Sequence, residues 1–103
     1  MTRFATKFGA FEIDSLPSQC QVAICHGFYV KPEYRGKGLS HDLKMYQNTC
    51  VEDLGYDYAI CTVAKANAAQ KAVLAKAGWR SLAVFFSKRQ NEHIEVWGQD
   101  EKG

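Results

Sequence analysis

The segment V-K-P-E-Y-R-G-K-G-L-S-H-D-L, residues 30–43, joins an apolar stretch to an amphipathic one through a loop with two glycines. A helix that begins at this loop would favour phosphate, because its first turn leaves backbone N–H groups unpaired and carries partial positive charge. Gly36 and Gly38 would let the backbone approach a ligand closely. Arg35 and Lys37 add cationic donors at the same place. The segment therefore predicts a phosphate-binding loop between a strand and a helix.

The patterns on either side of this loop predict a buried strand and an amphipathic helix. Residues 21–30 are apolar or small on both faces, which is typical of a central strand, and Gly27 inside it indicates a bulge or a close backbone approach. Residues 39–54 have helical periodicity, and Ser40 is predicted to cap the helix start. The predicted apolar stripe of this helix consists of Leu39, Leu43, Tyr46, Cys50 and Leu54.

The remaining patterns predict one more helix and several strands. The apolar run at 58–63 is typical of a parallel strand covered on both faces, so the order strand, helix, strand predicts a right-handed crossover. Asn67 is predicted to cap the second helix. The other predicted elements are one strand at 3–13, either continuous or broken, a helix at 68–77, and a hairpin of strands at 79–86 and 94–97. Together they indicate a mixed α/β sheet of about five or six strands with two helices.

Length and composition favour one minimal domain over residues 1–103. The net charge of +2 is small and the basic residues are scattered, so a nucleic-acid partner is not expected. No apolar run approaches the roughly 20 residues that span a bilayer, and the first residues lack the apolar core of a signal peptide. These features predict a cytoplasmic protein with no membrane partner.

The four cysteines have no spacing that is typical of a metal site. Cys20, Cys25, Cys50 and Cys61 form no C-x-x-C pair, and we expect all four to be buried in a reducing compartment. No metal is expected.

Two separated motifs resemble those of the GCN5-related N-acetyltransferases (the GNAT superfamily). R-G-K-G-L-S at 35–40 is similar to the pyrophosphate loop of that superfamily, and V-x-P-x-Y at 30–34 is similar to the approach to that loop. Asn67 and the segment K-A-G-W at 76–79 resemble the ends of a later helix in the same superfamily. The chain resembles a short member without most of the elements that help to form the acceptor pocket.

The resemblance implies an acyl-CoA N-acyltransferase fold with acetyl-CoA as co-substrate. In that superfamily the loop amides bind the pyrophosphate, the first central strand pairs with the pantetheine arm, and an asparagine lies beside the cofactor. By resemblance, the cofactor-binding residues here are Phe28, Tyr29, Val30, Arg35, Gly36, Lys37, Gly38, Leu39, Ser40 and Asn67.

The reaction implied is transfer of an acetyl group to a primary amine, on a protein lysine or N-terminus or on a small molecule. In many members of the superfamily a tyrosine acts as the general acid that protonates the leaving thiolate, and the corresponding position here is Leu74. In some members a glutamate acts as the general base, and its position falls near Ile24. His26 is the best remaining candidate for a general base, because an imidazole has a suitable pKa. The alternative is a core histidine that is hydrogen-bonded to a neighbour.

Two questions remain open at this level. The acceptor site is either open, and suited to an exposed lysine, or completed by the second subunit of a homodimer through the aromatic hairpin. The chain is either an acetyltransferase or a non-catalytic module that binds acetyl-CoA as a sensor or interaction domain, which the absent acid and base would favour.

Overall fold

The structure is a computed structural model that describes residues 2–100 as one six-stranded sheet with two α-helices. The elements in chain order are β1 (Thr2–Ala5), β2 (Gly9–Leu16), β3 (Gln19–Val30), α1 (Leu39–Asp53), β4 (Tyr58–Ala64), α2 (Ala68–Lys76), β5 (Arg80–Ser87) and β6 (Glu92–Asp100). A 3₁₀ turn at Pro32–Tyr34 precedes α1. Over this described range, neither helix is long and apolar enough to cross a membrane.

The strands follow the order β1-β2-β3-β4-β6-β5, and only β3 and β4 are parallel neighbours. Because α1 joins these two strands, the predicted parallel crossover is confirmed. The predicted hairpin near the end of the chain is also confirmed, as β5 and β6 pair antiparallel. The sheet is mixed, with six strands and two helices, as the sequence indicated.

Of the two readings of residues 3–13, the unbroken strand is wrong and the broken one is confirmed. The segment folds into the antiparallel hairpin of β1 and β2. The Thr6 hydroxyl accepts hydrogen bonds from the amides of Phe8 and Gly9, at 3.1 and 3.2 Å, and these local bonds hold the turn. Gly9 lies so close to the Tyr29 carbonyl that a Cβ there would clash with it.

The predicted apolar stripe of α1 is wrong in part. Leu43 and Cys50 are buried, but Tyr46 is 45% exposed and Leu54 is 47% exposed. The buried face of α1 includes Lys44 and Gln47, which line a cavity beneath the helix. The buried face therefore differs from the predicted stripe.

One of the two predicted helix N-caps is confirmed. The N-cap of α1 is Gly38 and no side chain caps it, so the prediction for Ser40 is wrong, because Ser40 is already inside the helix. Asn67 caps α2 as predicted, since its Oδ1 accepts from the Gln70 amide at 3.1 Å. Gly55 and Gly78 follow the two helices with left-handed φ of +86° and +92°.

The core lies between one face of the sheet and the two helices. Alternate strand residues point to this face, which gives the core its period of two. Three cysteines are buried as predicted, but the prediction for Cys20 is wrong. Cys20 is exposed because it lies at the N-terminal end of β3, before the residues that pair with β4. Within residues 2–100, no group of side chains could hold a metal ion. The core includes Phe11, Ile13, Ala23, Cys25, Leu43, Val51, Cys61, Val63, Leu74 and Trp97.

Glu95 connects β6 to α2 through a buried carboxylate. It accepts hydrogen bonds from Trp97 Nε1 at 2.9 Å and from Lys71 Nζ at 3.2 Å. Burial opposes ionisation, but the bonds from Lys71 and Trp97 outweigh it, so the pKa of Glu95 lies below its ordinary value of 4.5.

Replacing Glu95 with Gln should lower the Tm at neutral pH. A carboxyl whose pKa is lowered by folding stabilises the protein above pH 4.5 and loses this contribution as the pH falls through the lowered value. The Tm difference between wild type and Glu95→Gln should therefore be largest near pH 7 and shrink in acid, as followed by calorimetry. Glu92→Gln, at the exposed start of β6, is the control. A Tm difference that does not change with pH would contradict this account.

Candidate functional site

The two parallel strands at the centre of the sheet separate after a short paired section. β3 and β4 pair only from Val22 to Ile24, opposite Tyr58 to Ile60, and diverge beyond. On its other side β3 stays paired with β2, with a shift in register around Gly27, whose φ is +65°. The bulge predicted at Gly27 is confirmed, and it lies beyond Ile24, where the pairing with β4 has ended.

A cavity of about 400 Å³, here called the inner cavity, fills the opening between the separated strands. Its walls come from β3, β4 and the buried faces of both helices. The lining residues are Cys25, His26, Gly27, Phe28, Lys44, Gln47, Cys61, Thr62, Val63, Ala64, Asn67, Gln70 and Leu74.

A second depression of about 500 Å³, here called the outer groove, runs from the end of β3 to the start of α2. It shares Phe28, Asn67 and Gln70 with the inner cavity, so the two spaces are neighbours. The outer groove is lined by Phe28, Tyr29, Val30, Arg35, Ser40, Asn67, Ala69 and Gln70.

The predicted phosphate loop borders the outer groove. Arg35 Nε donates to the Val30 carbonyl at 2.8 Å and its guanidinium lies 5.4 Å from the centre of the Tyr29 ring, so the side chain is held against β3. Gly36 and Gly38 both have φ of +77°, and a Cβ at either would meet no atom within 4 Å. The backbone conformation thus requires glycine, and the space beside the loop is open.

Six of the ten predicted cofactor residues line the outer groove, and the other four stay in the loop beside it. The groove is lined by Phe28, Tyr29, Val30, Arg35, Ser40 and Asn67, whereas Gly36, Lys37, Gly38 and Leu39 do not form its wall. Lys37 Nζ lies 5.9 Å from the centre of the Tyr34 ring. Asn67 Oδ1 is engaged as a helix cap. Their roles toward a cofactor stay predictions.

His26 lines the inner cavity but is not a core histidine, since 41% of its side chain is exposed. Nε2 contacts Asp14 Oδ2 at 2.6 Å and Nδ1 contacts Glu12 Oε1 at 3.3 Å. The hydrogen bond with His26 lowers the pKa of the Asp14 carboxyl. Asp14 can therefore orient the ring, and Nδ1 would have to leave Glu12 to take a proton from a substrate.

The structure adds two site residues that the sequence did not indicate. Lys44 is only 2% exposed, and its Nζ lies 4.2 Å from the Trp79 ring centre and 5.1 Å from that of Phe28. Gln47 is fully buried, and neither Nε2 nor Oε1 has a hydrogen-bond partner among the described residues. Burial lowers the pKa of Lys44 below 10.5, although Cys61 and Cys25 oppose this. Lysine and glutamine are common on exposed helix surfaces, so the sequence pattern does not indicate that Lys44 and Gln47 are buried.

Solved structures with the same arrangement of strands and helices are acetyltransferases. An acetyltransferase from Bacillus subtilis in complex with CoA superposes with a TM-score of 0.82 at 17% identity, over 94% of this chain and 72% of that one. The chain has the GNAT fold. An IAA acetyltransferase from Bacillus cereus gives 0.80 at 12% identity, over 90% and 69% of the two chains. The ribosomal-protein-S18-alanine N-acetyltransferase from Escherichia coli superposes with a TM-score of 0.76 at 16% identity, over 93% of this chain and 63% of that one.

This GNAT-fold chain therefore spans about two thirds of the length of these structures. No protein-family model and no curated protein matches its sequence. The likeness is one of fold, at low sequence identity.

Replacing Lys44 with Met should raise the Tm at neutral pH, because it removes a buried group whose ionisation burial opposes. A gain of about 1 kcal/mol would raise the Tm by about 4–8 °C. Because folding lowers this lysine's pKa, wild-type stability relative to Lys44→Met should rise with pH up to about 10.5 and level off above it.

Thermal unfolding of both proteins from pH 6 to 11 measures this difference. A Tm difference that is constant over this pH range would contradict the lowered pKa.

Proposed function

We propose that this protein is an N-acetyltransferase that transfers an acetyl group from acetyl-CoA to a primary amine. The observation that carries the proposal is the continuity of the outer groove, beside the glycine loop, with the inner cavity between β3 and β4. One end of this path suits a pyrophosphate and the other is deep enough for an acyl group. The CoA-bound and N-acetylating proteins that share the fold support the same reading.

The residues present fit coenzyme A. The first turn of α1 follows Gly38 without a side-chain cap, so its N–H groups are available to phosphate oxygens. Arg35 adds a positive charge at the wall of the outer groove. Beyond Ile24, β3 pairs with no residue of β4, so its backbone from Phe28 to Val30 can bond to the amides of a pantetheine arm.

When bound, the thioester would supply an activated acyl group, and residues of this chain would remove the proton of the acceptor amine. An amine with a pKa of about 10.4 must lose its proton before attack, which costs about 4–5 kcal/mol at pH 7. His26 is the candidate base, oriented by Asp14 at 2.6 Å. The buried Leu74 lines the inner cavity and cannot donate a proton to the leaving thiolate. Solvent would have to provide that proton.

The acceptor class follows from charge at the exposed rim. Glu12 and Asp14 both contact His26, so two carboxylates lie where an acceptor would reach the inner cavity. A primary amine is cationic before it binds and would be attracted to them. Protein lysines, N-termini and small amines all satisfy this requirement. A homodimer that completes the acceptor site stays a prediction, and the exposed Phe85 and Phe86 on edge strand β5 would provide its interface.

Isothermal titration calorimetry with acetyl-CoA tests the cofactor site. Arg35→Ala should weaken binding about 10- to 100-fold, because a hydrogen bond to a charged group contributes about 1.5–3 kcal/mol. Arg89→Ala, on the turn between β5 and β6, removes the same charge away from the groove and should bind normally. The absence of binding by the wild type would overturn the proposal, and normal binding by Arg35→Ala would move the site.

Thiol release separates an enzyme from a non-catalytic acetyl-CoA module. The wild type is incubated with acetyl-CoA and a polyamine, a lysine peptide or a peptide with a free N-terminus. Tight binding without release on any amine would favour the sensor or interaction module.

His26→Gln should lower turnover about 10²- to 10⁴-fold without changing the Kd for acetyl-CoA, because a general base acts on the acceptor. His93→Gln, at an exposed position of β6, is the matched control. Full turnover by His26→Gln from pH 6 to 9 would remove His26 as the base.

A further inference from the structure

Two buried polar side chains, Lys44 and Gln47, line the inner cavity. Lys44 is 2% exposed and Gln47 is completely buried, and both lie on the face of α1 that points into the cavity. Gln47 has no hydrogen bond at either end of its amide within residues 2–100. Buried polar groups are normally satisfied, so an exception at a cavity wall points to a ligand that completes them.

The aromatic rings around Lys44 hold its amine at the cavity but do not replace hydrogen bonds. The centre of the Trp79 ring lies 4.2 Å from Lys44 Nζ. Trp79 Nε1 donates a hydrogen bond to Asn48 Oδ1 at 3.0 Å, which fixes the position of the ring. A cation–π contact is weaker than the hydration that an ammonium group loses on burial. The amine keeps donors that could bond to a ligand.

The charges around the inner cavity favour an anion. Its lining contains the amine of Lys44 and no aspartate or glutamate of the described chain. Glu12 and Asp14 contact His26 without lining the cavity. A carboxylate would pair with the Lys44 ammonium and accept a hydrogen bond from Gln47 Nε2, and such charge-assisted bonds are the strong ones.

The cavity is also larger than an acetyl group requires. Its volume is about 400 Å³. A three- or four-carbon acyl group that ends in a carboxylate would therefore fit beside these two side chains.

We infer, resting on the proposed function, that the inner cavity selects acyl-CoA donors whose short acyl group ends in a carboxylate, such as malonyl or succinyl. Lys44 provides the charge and Gln47 the second donor. Uncharged acyl groups of the same length bring no negative charge to Lys44 and leave the Gln47 amide without an acceptor, so they bind more weakly.

Calorimetry on the wild type compares donors of equal chain length, malonyl- with propionyl-CoA and succinyl- with butyryl-CoA. The carboxylate form should bind at least about tenfold more tightly in one pair or both, which is the effect of about 1.4 kcal/mol. Equal or weaker binding of both carboxylate forms, with CoA itself still bound, would overturn the inference and leave the proposed function intact. Failure to bind CoA or any acyl-CoA would overturn the proposed function.

Two variants then assign the preference to its residues. Lys44→Met and Gln47→Leu keep side-chain length and remove the donors, and each should reduce the preference for the carboxylate form while keeping affinity for CoA. Lys88→Met, on an exposed turn, should keep the full preference. An unchanged preference in Lys44→Met would overturn the inference. An acyl adduct on Lys44, found by peptide mass mapping, would also overturn it, because Lys44 would then be an acceptor.

Discussion

The early end of pairing between β3 and β4 is the constraint on which the rest of the site depends. Three residue pairs, the last at Ile24, hold the parallel strands together, whereas β3 stays paired with β2 through the bulge at Gly27. A sheet that opens in this way exposes backbone groups and space at its centre. The start of α2 and the buried face of α1 border that opening, and the glycine loop borders the adjoining outer groove, so segments that are distant in sequence come together there.

Local rules predicted much of this arrangement. The strand, loop and helix around residues 30–43, the bulge at Gly27 and the cap at Asn67 each depend on residues close in the chain, through left-handed backbone or side-chain capping. The parallel crossover followed from element order alone. The position of Leu74 was also informative, since it now lines the inner cavity where a proton donor would act.

What the sequence did not predict depends on tertiary contacts. The turn at Thr6 requires a hydroxyl that bonds to two amides, and a strand pattern does not reveal it. The burial of Lys44 and Gln47 follows from the space that the separated strands leave beneath α1, whereas periodicity counts both as surface residues. The contacts of His26 with two carboxylates depend on the register between β2 and β3.

The support of β3 is unequal on its two sides. Along the stretch that borders the outer groove, β2 holds it closely, with Gly9 against the Tyr29 carbonyl and Lys31 N bonded to the Phe8 carbonyl at 2.8 Å. The β4 side of the same stretch pairs with no strand residue in the described part of the chain. The opening therefore lies beside a strand that is held in place by its pairing with β2. A molecule that enters would find a preorganised edge, and little of its binding free energy would be lost to ordering the protein.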